Sequence, residues 1–522
     1  MTHRTPRSRR AVVLLAVLVV VVLLSLAAYK YSELMGSEAR AASSGSRAAQ
    51  ARAIAESGIA YTAALLANDI ANDNSILGGN MWDNAQFFSG IGVPNDNPRD
   101  AGQFHIVSLS TPDDQARAYR PGVTDECGKI NLNGLLALDK GKGEIALKIL
   151  EAIPGMSTEV ANAILDWLDE DDDERQGGAE SKTYGTMQPS YRCKNGPLDS
   201  LEELLLVKGV TPELLFGGDR NRNGTLDKEE GGGGEVAGQG LSAYLTVYSR
   251  EVNVSANGTQ RINVNNKDLA KLKQSLTDAS MPAEMVTYIL AYRLYGGAAM
   301  ATDAKMGGAA PPMGDVSALA PQVEDAISKG TQGKTKIESL WDLANTQVTA
   351  SVGMGMMAKS VTVPSPASGE EARRTMLPAI FDLCCLNEKK DMAPRVNVLS
   401  APSAVLAALG KGVGLTEEEV ATIQSKRPDL TDTRVSQQLF KTPVWLLTEA
   451  GLKVETLKKL DKYITSRSQV YRFQSVGVFD KGGPSARVEA VVDTNQGRPR
   501  ILYWRDLTEL GRGFDIRPEG RK

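Results

Sequence analysis

Residues 9–68 read RRAVVLLAVLVVVVLLSLAAYKYSELMGSEARAASSGSRAAQARAIAESGIAYTAALLAN, a passage from charge to an apolar run to an alanine-rich helical pattern. Arg4, Arg7, Arg9 and Arg10 stand in the first ten residues without an acid, and residues 11–28 are apolar throughout except Ser25. At 1.5 Å per residue, about 19 residues span roughly 28 Å, close to the hydrocarbon thickness of a bilayer. The basic flank assigns that end to the cytoplasm and everything after Tyr29 to the other side. A cleaved signal peptide is the competing reading, because Ser25-Leu26-Ala27 has the form of a small-x-small cleavage site and predicts a start at Ala28. The continuation argues against it. From Glu33 to Asn68 the pattern stays helical, with Ala41, Ala48, Ala55, Ile59, Ala63 and Leu66 on a small-residue face. Such a helix predicts a first half packed in a membrane or filament and a second half packed on a folded head.

The remaining chain limits what that head can do. A length of 522 residues predicts two to four domains. With 42% apolar and 23% charged residues the chain is globular, and with 5% aromatics its cores must be mainly Leu, Val, Ile and Ala. A net charge of −4 and a pI near 5.6 oppose a nucleic-acid-binding body, which needs a field of Lys and Arg. The two histidines are His3, in the basic segment, and His105, which the alternation QFHIVSLS makes a half-exposed strand residue. Gly-x-Ser-x-Gly, P-loop, His-Glu-x-x-His and Cys-x-x-Cys motifs are absent, so the reading is of a protein that is not an enzyme. Cys127, Cys193, Cys384 and Cys385 permit one or two disulfides or four buried thiols, and no bridge is assigned.

A phrase recurs: Lys129-Ile130-Asn131-Leu132-Asn133, Arg261-Ile262-Asn263-Val264-Asn265 and Arg395-Val396-Asn397-Val398, spaced by 132 and then 134 residues. Each copy leads into an apolar helical pattern, a turn and a second helix. Those second helices open with Ser157-Thr158-Glu159, Pro282-Ala283-Glu284 and Thr416-Glu417-Glu418, which is helix N-terminus chemistry. In the first unit residues 147–168 form one hairpin and 201–215 another, resembling helix-hairpin-helix or sterile-alpha-motif units. Glu159 and Glu213 carry the wrong sign for phosphate, which favours protein packing over DNA. Strand patterns bracket the helices at 103–110, 116–120, 244–254, 469–479, 486–493 and 500–504. Residues 231–234, 298–333 and 352–374 have the composition of flexible linkers.

The strongest local signal is Asp219-Arg220-Asn221-Arg222-Asn223-Gly224-Thr225-Leu226-Asp227-Lys228-Glu229-Glu230. As a 12-residue calcium loop it offers side-chain oxygens of Asp219, Asn221, Asn223, Asp227 and Glu230, the Thr225 carbonyl, and Gly224 where the backbone must turn. Residues 231–234 replace the exiting helix of an EF-hand, so a structural clip is expected rather than a sensor. A second acidic group holds Asp166, Asp169, Asp171 and Glu180, with Arg175 and Lys182 as neutralising partners. It reads either as a second calcium site or as a solvated helix end. Tyr184, Tyr191 and Pro197 beside it read as packing residues.

The basic leader, the Ala-Val-Val-Leu-Leu start and Ala53-Ile54-Ala55-Glu56-Ser57-Gly58-Ile59-Ala60 resemble minor pseudopilin K of the type II secretion system. Asp166-Trp167-Leu168-Asp169-Glu170-Asp171 and Gly178-Ala179-Glu180 resemble an acidic stretch of the same family. The resemblance implies cleavage by prepilin peptidase between Ala11 and Val12, where the family normally has Gly, and methylation of the new terminus. The mature fifth residue is then Ala16, where most pilins have Glu and pseudopilin K lacks it. It implies an α+β fold: a long pilin-type helix and a split antiparallel-sheet head with inserted all-α helix-hairpin-helix or SAM-like domains. The expected divisions are 1–11 leader, 12–70 helix, 71–134 first part of the head, 135–240 an α-domain with the calcium loop, and 241–265 head strands. They continue with 266–393 a second, looser unit, 394–467 a third helical unit and 468–522 the last strands. Implied partners are other minor pseudopilins, the pseudopilus, prepilin peptidase and the inner membrane, with the body periplasmic and no nucleic acid. The implied role is to cap the pseudopilus tip and help export folded proteins. The alternative is a membrane-anchored helix-hairpin-helix DNA-uptake protein.

Overall fold

The computed structural model describes residues 8–71, 76–78, 80–98, 100–114, 116–139, 143–233, 236–300, 314–352, 359–495, 497–511, 513–514 and 516. Arg4, Arg7, His3 and Gly234 lie outside them, as does the side chain of Ala11.

One helix, Ser8–Ala71, contains the whole opening pattern. Its stretch from Val12 is long and apolar enough to cross a membrane, and the large apolar side chains from Val12 to Leu34 are exposed. The second half lies on a sheet. Ala51, Ile54, Ala55, Ile59, Ala63 and Leu66 are buried against Phe104, Ile106, Phe473, Phe479, Val488 and Val492. Small residues are needed because the backbones nearly touch: a Cβ on Gly58 would collide with Ser475 Oγ, and one on Gly477 with the Ala51 carbonyl. The small-residue face divides here. Ala55, Ile59, Ala63 and Leu66 are interior, whereas Ala41 and Ala48 are exposed.

The sheet is antiparallel throughout and split in sequence. Its strands run in the order Ile91–Val93, Gly102–Leu109, Val470–Phe479, Ala486–Asp493, Arg500–Asp506, with Tyr119–Pro121 and Thr124–Asp125 added at one end. The expected strand at 244–254 is reduced to the pairs Leu245–Thr246 and Glu251–Val252. His105 departs from expectation. It is buried at 6% exposure, because strand Gly102–Leu109 is covered on both faces. Its Nδ1 accepts the Gly90 N–H at 3.1 Å, and burial lowers its pKa to about 4.

Between the two parts of the sheet lie three units, and the recurring phrase is the first stitch of each. Ile130–Asn131 pairs in parallel with Leu245–Thr246, Ile262–Asn263 with Cys384–Cys385, and Val396–Asn397 with Ile464–Thr465. Each unit leaves and returns at neighbouring points. The Asn shapes the turn after the strand: its side-chain oxygen accepts the N–H of Gly134, Asn265 or Leu399. The cation that opens each phrase reaches a buried glutamate. Lys129 pairs with Glu126, and Arg261 and Arg395 both pair with Glu251. Burial alone would raise these carboxyls, but Arg472 with Lys129, and Arg395 with Arg261, hold Glu126 and Glu251 near 2.

The middle unit is more ordered than its composition implies. Within the supposed linker 298–333, residues 314–333 contain helix Ala320–Ser328. Within 352–374, strand Lys359–Pro364 pairs with Thr346–Val352 and helix Glu370–Leu383 begins. Val316, Leu319 and Val323 from the one and Val363 and Ala367 from the other enter the common core, so a few well-placed apolar residues outweigh a Gly-, Ala- and Met-rich composition. That hairpin also means this unit is not purely helical. Residues 301–313 and 353–358 lie outside the described residues. All four cysteines are buried free thiols.

Candidate cation sites

The first candidate follows the short helix Pro212–Phe216, whose N-cap Thr211 accepts the Leu214 N–H. Asp219, 3% exposed, accepts the N–H groups of Asn223 (3.1 Å) and Gly224 (2.7 Å). Gly224 turns at φ 83° against the Ala118 carbonyl, where a Cβ would clash. Glu230 reaches back to the N–H of Asn221 (3.0 Å) and of Asp227 (3.1 Å). Asn223 Oδ1 accepts the Thr225 N–H at 2.7 Å, and Asp227 Oδ2 accepts the Nδ2 groups of Asn221 and Asn223. The loop thus folds its expected ligand residues onto one another, and Thr225 is bridged to Val236. Burial raises the Asp219 pKa against these amides, and Asn221 Oδ1 is buried without a hydrogen bond. By donor type, three carboxylates and one orphaned amide oxygen suit a hard cation such as Ca²⁺, while Asp219, Asp227 and Glu230 are turned to the loop's own N–H groups rather than gathered on one point.

The loop also joins the first unit to the sheet. Arg487 donates to the carbonyls of Asn221 and Arg222, and Gln474 Nε2 donates to the latter at 3.1 Å. The Arg222 guanidinium lies 4.2 Å from the Phe216 ring centre and pairs with Glu489 (3.5 Å) and Glu202 (3.6 Å). Asn223 Nδ2 donates to the Gly513 carbonyl at 3.2 Å. Sequence reading missed Arg487 and Gln474. The available signal was a charged or amide residue at an inward position of an otherwise apolar strand.

The second candidate lies after helix Thr158–Leu168, where Asp169, Asp171 and Glu180 bring carboxylate oxygens within 4.8 Å of one another. Asp166 does not join that group. It is fully buried, accepting the Ala179 N–H (2.9 Å) and Arg175 Nη1 (2.7 Å). The same Arg175 nitrogen bonds Asp169 Oδ2, while Lys182 stays exposed and outside the cluster. Glu180 is 2% exposed, yet neither of its oxygens is hydrogen-bonded, nor is Asp169 Oδ1. The adjacent Cys193 thiol reaches the Asp166 carbonyl at 3.7 Å and lies close enough to Glu180 to favour its charged form weakly. Burial, reinforced by Asp166 and Asp169, raises the Glu180 pKa to about 7. One oxygen each from Asp169, Asp171 and Glu180 gathered within 4.8 Å, with both Glu180 oxygens and Asp169 Oδ1 buried and unbonded, fits a cation that would compensate the cost of burying the Glu180 charge. Tyr184 and Tyr191 pack with Trp167 behind the cluster, whereas Pro197 is exposed.

No curated protein matches the chain. Among solved structures, the crystal structure of the GspK-GspI-GspJ complex from the enterotoxigenic Escherichia coli Type 2 Secretion System aligns at 10% identity. The alignment spans 90% of this chain and 99% of that one, with a TM-score of 0.36, a likeness too weak to decide anything. Residues 128–216 match the family described as Type II secretion system (T2SS), protein K. That segment opens at the first recurring phrase and carries Asp166, Asp169, Asp171 and Glu180, and over these residues the chain is similar to the type II secretion system protein K family.

Proposed function

We propose that the protein is a non-enzymatic tip subunit of the pseudopilus, anchored in the inner membrane by its N-terminal helix with the head in the periplasm. The observation that carries this reading is the division of one helix into an uncovered apolar half and a half sealed to a large head. An assembling helix needs such an outer half, because lipid or neighbouring helices must cover it. The head's size supports the tip position, since a body with three inserted units would clash if stacked at every step of a filament. Ala16 agrees, because it offers no carboxylate to a subunit ahead of it. Cleavage by prepilin peptidase before Val12 would free that helix for assembly, and the head would help folded proteins leave the cell. The partners are other minor pseudopilins, as in the GspK-GspI-GspJ complex of the solved structure.

Ca²⁺ at Asp219, Asn221, Asn223, Thr225, Asp227 and Glu230 would act as a clip between the first unit and the sheet. A second Ca²⁺ would sit at Asp169, Asp171 and Glu180. The test is co-expression of the full chain with the other minor pseudopilins of its organism and purification in mild detergent. A stoichiometric complex supports the reading, and recovery of the chain alone overturns it.

A further inference from the structure

Strand Arg500–Asp506 is the last in the sheet, and among the described residues no strand pairs with its outer side. The Leu507 N–H bonds the Arg487 carbonyl, so by the alternation of an antiparallel ladder Trp504 and Asp506 aim their N–H and C=O groups away from the sheet. Beyond the N-terminal helix, exposed large apolar residues are few among the described residues, and three of them share this strand: Ile501 (53%), Leu502 (38%) and Trp504 (39%). Ile501 and Trp504 stand opposite Val492 and Ala490, on the sheet face that carries the long helix, and Arg52 of that helix lies over the Trp504 ring. A register shift between Val491 and Val492 leaves Leu502 unpaired within the strand. Natural edges are usually blunted by charge, proline or a cover. Here Arg498, Pro499, Arg500 and Arg505 guard the ends, while the centre Ile501–Trp504 is apolar and open.

We propose that this edge receives an added strand from a different protein: an extended segment with an apolar centre and acidic ends. The open N–H and C=O groups select an extended backbone. The exposed apolar side chains select an apolar centre. Arg498, which has no partner among the described residues, selects an acid at one end, whereas Arg500 and Arg505 are already paired with Asp493 and Glu202 and add only their exposed portions. A second copy is not the occupant. Two such edges paired antiparallel about a dyad normal to the sheet would point the two long helices in opposite directions, so both could not enter one membrane in the same orientation.

The inference rests on the assembly reading above, and the experiment separates the two. A photo-crosslinking amino acid replaces Leu502 in one version of the full chain and Ser44, on the exposed part of the long helix, in another. Each is co-expressed with the other minor pseudopilins, irradiated in membranes and mapped by mass spectrometry. The expected result is an adduct at 502 to an extended acidic-flanked segment of another chain. Adding Ile501→Lys and Trp504→Lys should reduce that adduct roughly tenfold, leave the adduct at 44 unchanged and leave the thermal melt unchanged. Both substituted residues are exposed, and a lost melt would be answered by Leu502→Lys alone, with the crosslinker moved to Tyr503. An adduct at 44 with none at 502 overturns the strand proposal and keeps the assembly. Adducts at neither position overturn both, and an adduct of 502 to a second copy overturns the choice of occupant.

Discussion

Residues 51–66 and residues 12–48 belong to one continuous helix, yet the first group is completed within the chain and the second is not. At 51–66 the small residues meet a sheet so closely that Gly58 and Gly477 can carry no side chain. At 12–48 a comparable density of Ala, Val and Leu is exposed among the described residues. Helical periodicity records that a face is to be covered, but not by what. The same contrast runs through the head. The repeat phrases find their partners inside the chain, through parallel bridges and the buried glutamates Glu126 and Glu251. Both oxygens of Glu180, Asp169 Oδ1, Asn221 Oδ1 and the edge at Ile501–Trp504 have none among the described residues.

The contrast can be broken most sharply at Ala55. Ala55→Glu puts a charge into the closed helix-sheet core and should cost about 3 kcal/mol or more, read as a large loss in urea midpoint of the full chain in detergent. Gly58→Val should follow, at about 1–3 kcal/mol, because the added methyls displace Ser475 and Phe104. The cation sites should behave oppositely. Glu230→Ala should cost the chelated protein about 1–2 kcal/mol for the lost bonds to the Asn221 and Asp227 N–H groups, and should in addition remove the calcium-dependent gain in stability, about 2.7 kcal/mol at a hundredfold excess over Kd. Equal melting curves for the unaltered protein with calcium and with chelator would refute a cation at the loop.

The second site predicts a pH dependence. The folded pKa of Glu180 is about 7, above its unfolded value, so the folded state binds the extra proton between the two. Without calcium, stability from this group is full below the unfolded pKa and falls as pH rises through about 7. Calcium should reverse the trend, and Glu180→Gln should flatten it in a melt series. The smallest effect belongs to Ala48→Glu. It should change head stability by less than about 0.5 kcal/mol, while removing co-purification with partners if the exposed helix face is the contact.

Much of this was legible in residues alone, for identifiable reasons. The helix was visible because its apolar run and small-residue face are long. The last three strands were visible because Lys481-Gly482-Gly483-Pro484 and Thr494-Asn495-Gln496-Gly497 separate clean alternations. The self-bonded turn of Asp219–Glu230 was legible because Gly224 stands where the backbone must turn and Asp219 and Glu230 are spaced to reach back to it. What failed depended on tertiary partners. His105 alternates like a half-exposed residue, but both faces of its strand are covered. The segments 314–333 and 359–374 have linker composition, yet the repeat closes around them and gives their few apolar residues a core. Asp166 counts as a ligand by charge and is withdrawn by Arg175, nine residues on; the sequence offered Arg175 and Lys182 alike as neutralising partners, and only the fold decides that Arg175 closes on it while Lys182 stays outside.

The account turns on the first half of the helix being freed and placed in the membrane. The direct measurement is N-terminal sequencing of the full protein extracted from membranes. A start at Val12, with the apolar run retained, is the predicted result. A start at Ala28 would mean the run is an export signal that is discarded, and would contradict an anchored pseudopilin.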